Sequence, residues 1–434
     1  MACDFAASRP CGGSACNVTQ HDSLLVPRAR PRAGTLRGRA RGCAVRMLSP
    51  APRAATRPHA RPGHPRGEPG PSRRSPGLGV CLGPKREGRG QAMAGFSELS
   101  DSELLQAEEL REAEEPRSAR DPDGAGKRKQ APRPLDRYAL RYLCVTDLAG
   151  QSWCEQQAVF GMEEPRPPAP ETAALLDAGK SIHLARELEV HDLVKIPTTS
   201  REDSWAIKIL NLLSMIPVLQ AVGHVRELPV FGVIEGVFVS GIIDELRYNT
   251  KGELELNELK TRSRPFMPGE AQRKKDHFQV SLYKYIFDTM VQGQLKPDVF
   301  TNHIHLRPEQ PLGCQLRKHA QKIGFMITSF GDLLELMHLN LMFSDIPGID
   351  CLKIEYSHQE SSVPLGTEVV PYEEATVKEK AQYFLAYWKG QREARGVDIE
   401  EAWKCQSCSY SEICDWRKKR AEGLEKRSGP KKSK

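Results

Sequence analysis

The chain has 434 residues, 39% of them hydrophobic and 27% charged, with 35 glycines and 32 prolines. At ~100–200 residues per domain this is one large domain or two ordinary ones. The net charge of +7 permits a polyanionic partner without requiring one, and no run approaches the roughly 18 apolar residues of a membrane span, so a soluble protein with no membrane partner is expected.

Residues 1–92 are rich in Arg, Pro, Gly and Ala, with only Asp4, Asp22, Glu68 and Glu87 as acids. The segment lacks hydrophobic periodicity and is expected to be a disordered extension, because it buries too little surface to offset its ordering entropy. An Arg-rich, acid-poor front also fits a mitochondrial presequence; its prolines oppose the amphipathic helix such a signal needs. Met93-Ala94-Gly95 offers an alternative start. Residues 93–134 form a linker, acidic from Phe96 to Glu115 and then basic and proline-bearing. The spacing of Leu175, Leu176, Ile182, Leu184 and Leu188 predicts a helix over Ala173–Val190, and Trp205–Gln220 reads as a buried helix. Pro229–Tyr248 reads as strands, Asn249–Gly252 as a turn and Glu253–Thr261 as a strand, which together make a β-hairpin. Helical spacing returns over Asp276–Gln292. The expectation is an α/β domain over 135–417 with a central mixed sheet flanked by helices, followed by a basic tail over 418–434.

The hairpin carries a chemical pattern. Asp244 follows the apolar run Gly241-Ile242-Ile243, and the second strand reads Glu258-Leu259-Lys260. Residues two apart on a strand share a face, so Glu258 and Lys260 project together. Strand pairing would bring Asp244 near Glu258, and two adjacent carboxylates call for a hard cation such as Mg²⁺ or Mn²⁺. A lysine beside that cation could orient or activate water for attack on a phosphodiester. Acid-x-Lys triplets are common as surface charge pairs, and this one alone would be read that way. His183 in Gly179-Lys180-Ser181-Ile182-His183 upstream, and Gln279 and Tyr283 four apart on the following helix, shift the balance. Arg273-Lys274-Lys275 opens that helix, where cations are unfavourable unless a phosphate is near.

The order GxxxH, IID, ExK, QxxxY resembles the RecB-like branch of the PD-(D/E)XK nucleases. The resemblance implies a restriction-endonuclease-like core with Asp244, Glu258 and the Leu259 carbonyl on Mg²⁺, His183 beside the metal and Lys260 as catalytic lysine. Gln279 and Tyr283 would order the site, and Arg273, Lys274 and Lys275 would contact DNA. Glu227 lies where related nucleases often carry another acid.

Of twelve cysteines, five are scattered through the front, whereas Cys405, Cys408 and Cys414 are clustered near the end. That clustering suits a metal site in a reducing compartment. Spacing alone suggests zinc first, with a [4Fe–4S] cluster as competitor, and leaves the fourth ligand open among Cys144, Cys154, Cys314 and Cys351. Val145-Thr146-Asp147-Leu148 followed by Trp153-Cys154-Glu155 resembles the segment before the core of iron–sulfur RecB-like nucleases. That resemblance, which runs from about Gly95 to Trp416, implies Cys154, Cys405, Cys408 and Cys414 around a [4Fe–4S] cluster that staples the domain ends. It further implies a monomeric single-strand DNA exonuclease of DNA repair, working with a single-strand-binding protein or a helicase. The nucleus is the expected compartment, with mitochondrion or cytosol as alternatives. The rival readings are a non-catalytic nucleic-acid-binding iron–sulfur module and a RecB-like endonuclease.

Overall fold

The computed structural model describes residues 23–28 and 132–419. The rest of the expected front extension, nearly all of the linker over 93–134 and the tail beyond 419 lie outside the described residues. The strands are β1 (Ser23–Pro27), β2 (Leu143–Cys144), β3 (His191–Lys195), β4 (His224–Ile234), β5 (Val237–Tyr248), β6 (Leu254–Arg262), β7 (Cys351–His358) and β8 (Pro364–Val370). The helices are α1 (Pro134–Arg137), α2 (Val145–Gln151), α3 (Glu155–Glu163), α4 (Pro170–Leu188) and α5 (Arg201–Val222), then α6 (Glu270–Val291), α7 (Pro297–Ile304), α8 (Cys314–Lys322), α9 (Phe330–Met342) and α10 (Glu374–Trp388). A 3₁₀ turn over Ile399–Ser407 follows.

Six strands form one mixed sheet in the order β2-β5-β6-β7-β8, with β4 also paired to β5. The β2–β5 and β6–β7 pairs are parallel and the others antiparallel. The β4–β5 hairpin turns on Glu235-Gly236, both at positive φ (51° and 78°), the geometry that suits the strands' right-handed twist. Neighbouring strand residues show that helices cover both faces. Phe231 packs against Trp205 of α5, while Gly232 faces Ile286 of α6, 3.2 Å from where a Cβ would stand.

Helix α5 begins at Ser200, whose Oγ accepts the Asp203 N–H (3.1 Å), and ends at Gly223 in the left-handed conformation. It is long and apolar enough to cross a bilayer, which the sequence reading did not anticipate. Its apolar residues are instead spent on the core: Trp205, Ile209, Leu210 and Leu213 are fully buried.

The structure corrects the front extension at one place. Ser23–Pro27 is a strand paired antiparallel with β3, with Leu24 and Leu25 buried. Asn211 of α5 fixes it, accepting the Leu25 N–H (2.9 Å) and donating to the Ser23 carbonyl (3.0 Å). Three apolar residues in an Arg/Pro/Gly background carry no visible period, and the partner strand is remote in sequence, so local reading passes over them.

Candidate active site and cysteine centre

Asp244 and Glu258 sit where the β5–β6 ladder ends. The turn closes with Asn249 N–H on the Glu253 carbonyl (2.9 Å), and the register runs from Tyr248↔Leu254 to Glu245↔Asn257. One position further, the Asp244 side chain takes over from the backbone: its Oδ2 accepts the Leu259 N–H at 2.8 Å. On the other flank, Arg226↔Glu245 and Leu228↔Ile243 place Glu227 opposite Asp244. Glu227 has φ +54°, a conformation that costs ~1–3 kcal/mol in a non-glycine residue and is retained mainly where a site requires it. His183, Glu227 and Asp244 each present a ligand atom within 4.8 Å of the others, with His183 Nδ1 3.7 Å from Asp244 Oδ2.

Glu258 Oε1 accepts from Lys260 Nζ (2.9 Å) and Gln279 Nε2 (2.9 Å). Gln279 also accepts from Lys260 Nζ (2.8 Å) and donates to the Tyr283 hydroxyl (3.2 Å). The other oxygen, Glu258 Oε2, is buried with no hydrogen-bond partner. An orphaned carboxylate oxygen is costly unless a ligand completes it. A divalent cation fits this donor set of carboxylates and an imidazole.

Two glycines make this assembly possible. A Cβ on Gly241 would lie 2.6 Å from Tyr283 Cε1 and 2.9 Å from Val145 Cγ2, so only glycine lets α6 bring Tyr283 onto β5. A Cβ on Gly179 would lie 3.0 Å from Thr261 Oγ1. Gly179 thus lets α4 lie against β6, and one helical turn later His183 reaches the acids.

The electrostatics follow from crowding acids out of water. Burial and then the Asp244 charge push the Glu258 carboxyl up to about 7. Burial pushes Asp244 up to about 6 against the opposing pull of Lys260. Burial, then Asp244, Glu187 and Glu258, hold Glu227 well above the usual carboxylate range. Burial would lower the Lys260 ammonium, but Glu258, Asp276 and Asp244 outweigh it and hold it above its ordinary value. The surrounding acids therefore favour the charged form of Lys260. Glu245, next to Asp244, shows the alternative: burial opposes its ionisation, yet hydrogen bonds from His224 and Arg226 bring it to about 2.

The basic run is split by its helix. Lys274 is exposed and paired with Glu270 (2.8 Å), and Arg273 approaches Glu368 (3.7 Å). Lys275 is half-buried, with burial and then the Lys260 charge lowering its pKa.

Cys154 stands at the start of α3, and the structure brings it to Cys405, Cys408 and Cys414; all four thiols are free. Burial, then the three neighbouring cysteines, push the Cys154 thiol up to about 11. Residues 153–164 and 403–410 are joined around it. Trp153 meets Trp403 edge-on (5.7 Å), Phe160 stacks on Tyr410 (5.6 Å), and Tyr410 donates to the Glu164 carbonyl (3.1 Å). Four converging free thiols fit a Cys₄ metal or iron–sulfur centre.

Residues 133–258, 249–333 and 327–417 match the model of a family described as "Exonuclease V - a 5′ deoxyribonuclease". The chain belongs to the exonuclease V family. A zebrafish (Danio rerio) exonuclease V is 49% identical over 288 residues, which cover 66% of this chain and 73% of the relative. An uncharacterized ORF95 protein of Ostreid herpesvirus 1 is 28% identical over 119 residues, 26% of this chain and 38% of the viral protein. The crystal structure of SSO0001 aligns over 72% of this chain and 95% of its own, at 15% identity and a TM-score of 0.29. As an exonuclease V the chain is a 5′ DNA exonuclease. The family match begins at residue 133, so the acidic stretch from Phe96 lies outside it.

Sequence reasoning missed two buried acids beside the candidate site. Glu187 is 2% exposed and lines a small cavity with Glu227, Lys208 and Leu25. Asp276 accepts from the Tyr356 hydroxyl (3.2 Å) and from Gln272 Nε2 (2.9 Å) while helping to hold Lys260 charged. Helical spacing carried both signals: Glu187 lies four residues after His183, and Asp276 three before Gln279.

Proposed function

We propose that this exonuclease V hydrolyses single-stranded DNA from 5′ ends on a PD-(D/E)XK core, with Mg²⁺ or Mn²⁺ held by Asp244, Glu258, the Leu259 carbonyl and His183. The buried, unpartnered Glu258 Oε2, on a carboxylate that feels the Asp244 charge and binds Lys260 through its other oxygen, carries this reading. A bound cation would neutralise phosphate charge and lower the pKa of a coordinated water. The chain's own residues supply the rest. Lys260, held charged, stabilises the negative charge that develops on the phosphodiester and orients the attacking water. Gln279 fixes Lys260 and Glu258 together, and Tyr283 fixes Gln279. Glu227, opposite Asp244 in a strained backbone, is positioned as a further ligand or proton acceptor.

Cys154, Cys405, Cys408 and Cys414 would hold a [4Fe–4S] cluster whose role is to staple the domain ends, because hydrolysis needs no electron transfer. The enzyme would act as a monomer in DNA repair, beside a single-strand-binding protein or a helicase. The nucleus is the proposed compartment, with mitochondrial import or a cytosolic pool as additions.

The test is degradation of end-labelled single-stranded DNA in Mg²⁺ by wild type and Asp244→Ala, with a circular single strand in parallel. The reading expects short products from the linear strand, none from the circle, and loss of cleavage in the variant. Undiminished cleavage by Asp244→Ala would sink the site. Cleavage of the circle would point to an endonuclease, and an inert wild type to a binding module. Brown visible absorption after anaerobic purification would support iron; a colourless zinc protein would overturn it.

A further inference from the structure

Beside the acids, the structure holds an open cavity of about 330 Å³, lined by Leu175, Leu176, Thr261, Arg262, Arg264 and Gln359 among others. This lies at the lower end of the ~300–1,000 Å³ of small-ligand pockets. Its walls are the two elements that build the active site. On β6, Arg262 follows Lys260 by two residues, about 7 Å at strand rise. On α4, Gly179 meets Thr261, His183 lies one turn away on the side of the acids, and Leu175 lies one turn away on the other. Strand and helix therefore lead from the acids to the cavity together.

Two features of the lining bear on what it could bind. Among the described residues, neither Arg262 nor Arg264 has a carboxylate partner, and the one side-chain hydrogen bond of Arg262 is donated by Nε to the Phe266 carbonyl (3.0 Å). Arg186, Arg226, Arg247 and Arg392 are each paired with glutamate, whereas among the described residues Arg317, Arg395 and Arg417 share the lack of a carboxylate partner but line no such cavity. Two uncompensated guanidinium groups at a cavity mouth favour a polyanion and match phosphate geometry. Opposite them, Leu175 and Leu176 stand 44% and 48% exposed on α4. Exposed leucines on a wall that also bears arginines suit a flat apolar face carried by a phosphate chain.

We propose that this cavity is a nucleotide subsite for the DNA strand flanking the cleavage point, with phosphates on Arg262 and Arg264 and a base against Leu175 and Leu176. The inference rests on the proposed active site but uses separate residues. Backbone phosphate and any base face satisfy it, so it contributes grip without sequence preference.

The test is binding of fluorescent oligo(dT) to the full chain in EDTA across a salt series. Each phosphate contact on a single strand contributes ~0.7 to the slope of log affinity against log salt, so Arg262→Ala/Arg264→Ala should flatten that slope by about 1.4. The same variant should weaken binding at least tenfold, a loss of about 1.4 kcal/mol or more. Arg317→Ala/Lys318→Ala, on α8 outside the cavity, should leave the slope unchanged. Leu175→Ala/Leu176→Ala should weaken oligo(dT) binding but not binding of an abasic oligodeoxynucleotide of equal length. Wild-type slope and affinity in the arginine variant would overturn the subsite while leaving the active-site reading intact. So would an equal loss of slope in the α8 variant. An equal loss on abasic and normal strands would overturn the base contact. Retention of cleavage by Asp244→Ala would count against the active site alone.

Discussion

Glu155 and Glu258 are almost equally buried, 4% and 3% exposed, yet the protein completes them differently. Glu155, beside the cysteine centre, receives both terminal nitrogens of Arg392 and the Arg395 N–H (2.8 Å). Glu258 receives Lys260 and Gln279 on one oxygen and nothing on the other. The first arrangement is closed and holds the C-terminal segment to α3. The second is left incomplete within reach of the Asp244 charge, and a cation is what would complete it. Neither burial nor one unpartnered oxygen marks a functional acid by itself, since Glu202 Oε2 and Glu368 Oε2 are also buried without a partner; what sets Glu258 apart is the Asp244 and Lys260 charges beside it.

The sharpest way to break this contrast is to truncate each glutamate. Glu155→Ala leaves the half-buried Arg392 and the Arg395 N–H without their partner, and should cost ~1.5–3 kcal/mol of stability, read by chemical denaturation. A change below ~1 kcal/mol would mean the two sites are not different in kind. Glu258→Gln should act in the opposite sense. Its carboxyl rises from the ordinary 4.5 to about 7 on folding, so the folded chain holds a proton that the unfolded chain releases. Metal-free stability is therefore lost as pH rises through that window, on the order of 3 kcal/mol by pH 8. In EDTA, Glu258→Gln should be more stable than wild type at pH 8 and similar at pH 4.5. Parallel stability–pH curves would contradict the open coordination.

Smaller effects test how the two glycines shape the site. Gly241→Ala forces Tyr283 and Val145 apart and should cost ~1–3 kcal/mol, with cleavage lost along with the Gln279 placement. Gly179→Ala is the mildest for stability. Helix propensity gains ~1 kcal/mol, offsetting the approach to Thr261, so Tm should barely move. Cleavage should still fall several-fold, because His183 is carried away with the helix. Unchanged kinetics would remove His183 from the account.

Much of this arrangement was legible because it is local. The turn at Asn249–Gly252 and the strand alternation around Leu259 put Glu258 and Lys260 on one face, and four-residue spacing put Gln279 and Tyr283 on another. Long-range features were not legible. Pairing of Ser23–Pro27 with His191–Lys195, the positive φ of Glu227 and the approach of Arg273 to Glu368 all depend on tertiary neighbours. The fourth cysteine was ambiguous by spacing, since Cys144, Cys154, Cys314 and Cys351 were equal candidates. The fold brings Cys154 to the other three through the Trp153–Trp403 and Phe160–Tyr410 contacts, which no local pattern encodes.

The most direct measurement is Mn²⁺ binding at neutral pH, followed by electron paramagnetic resonance, for wild type, Glu258→Gln and Glu155→Gln. If Glu258 is the acid left open for a cation, wild type binds Mn²⁺, Glu155→Gln binds it equally, and Glu258→Gln binds at least about tenfold more weakly, a loss of about 1.4 kcal/mol. Equal binding by wild type and Glu258→Gln would contradict the account.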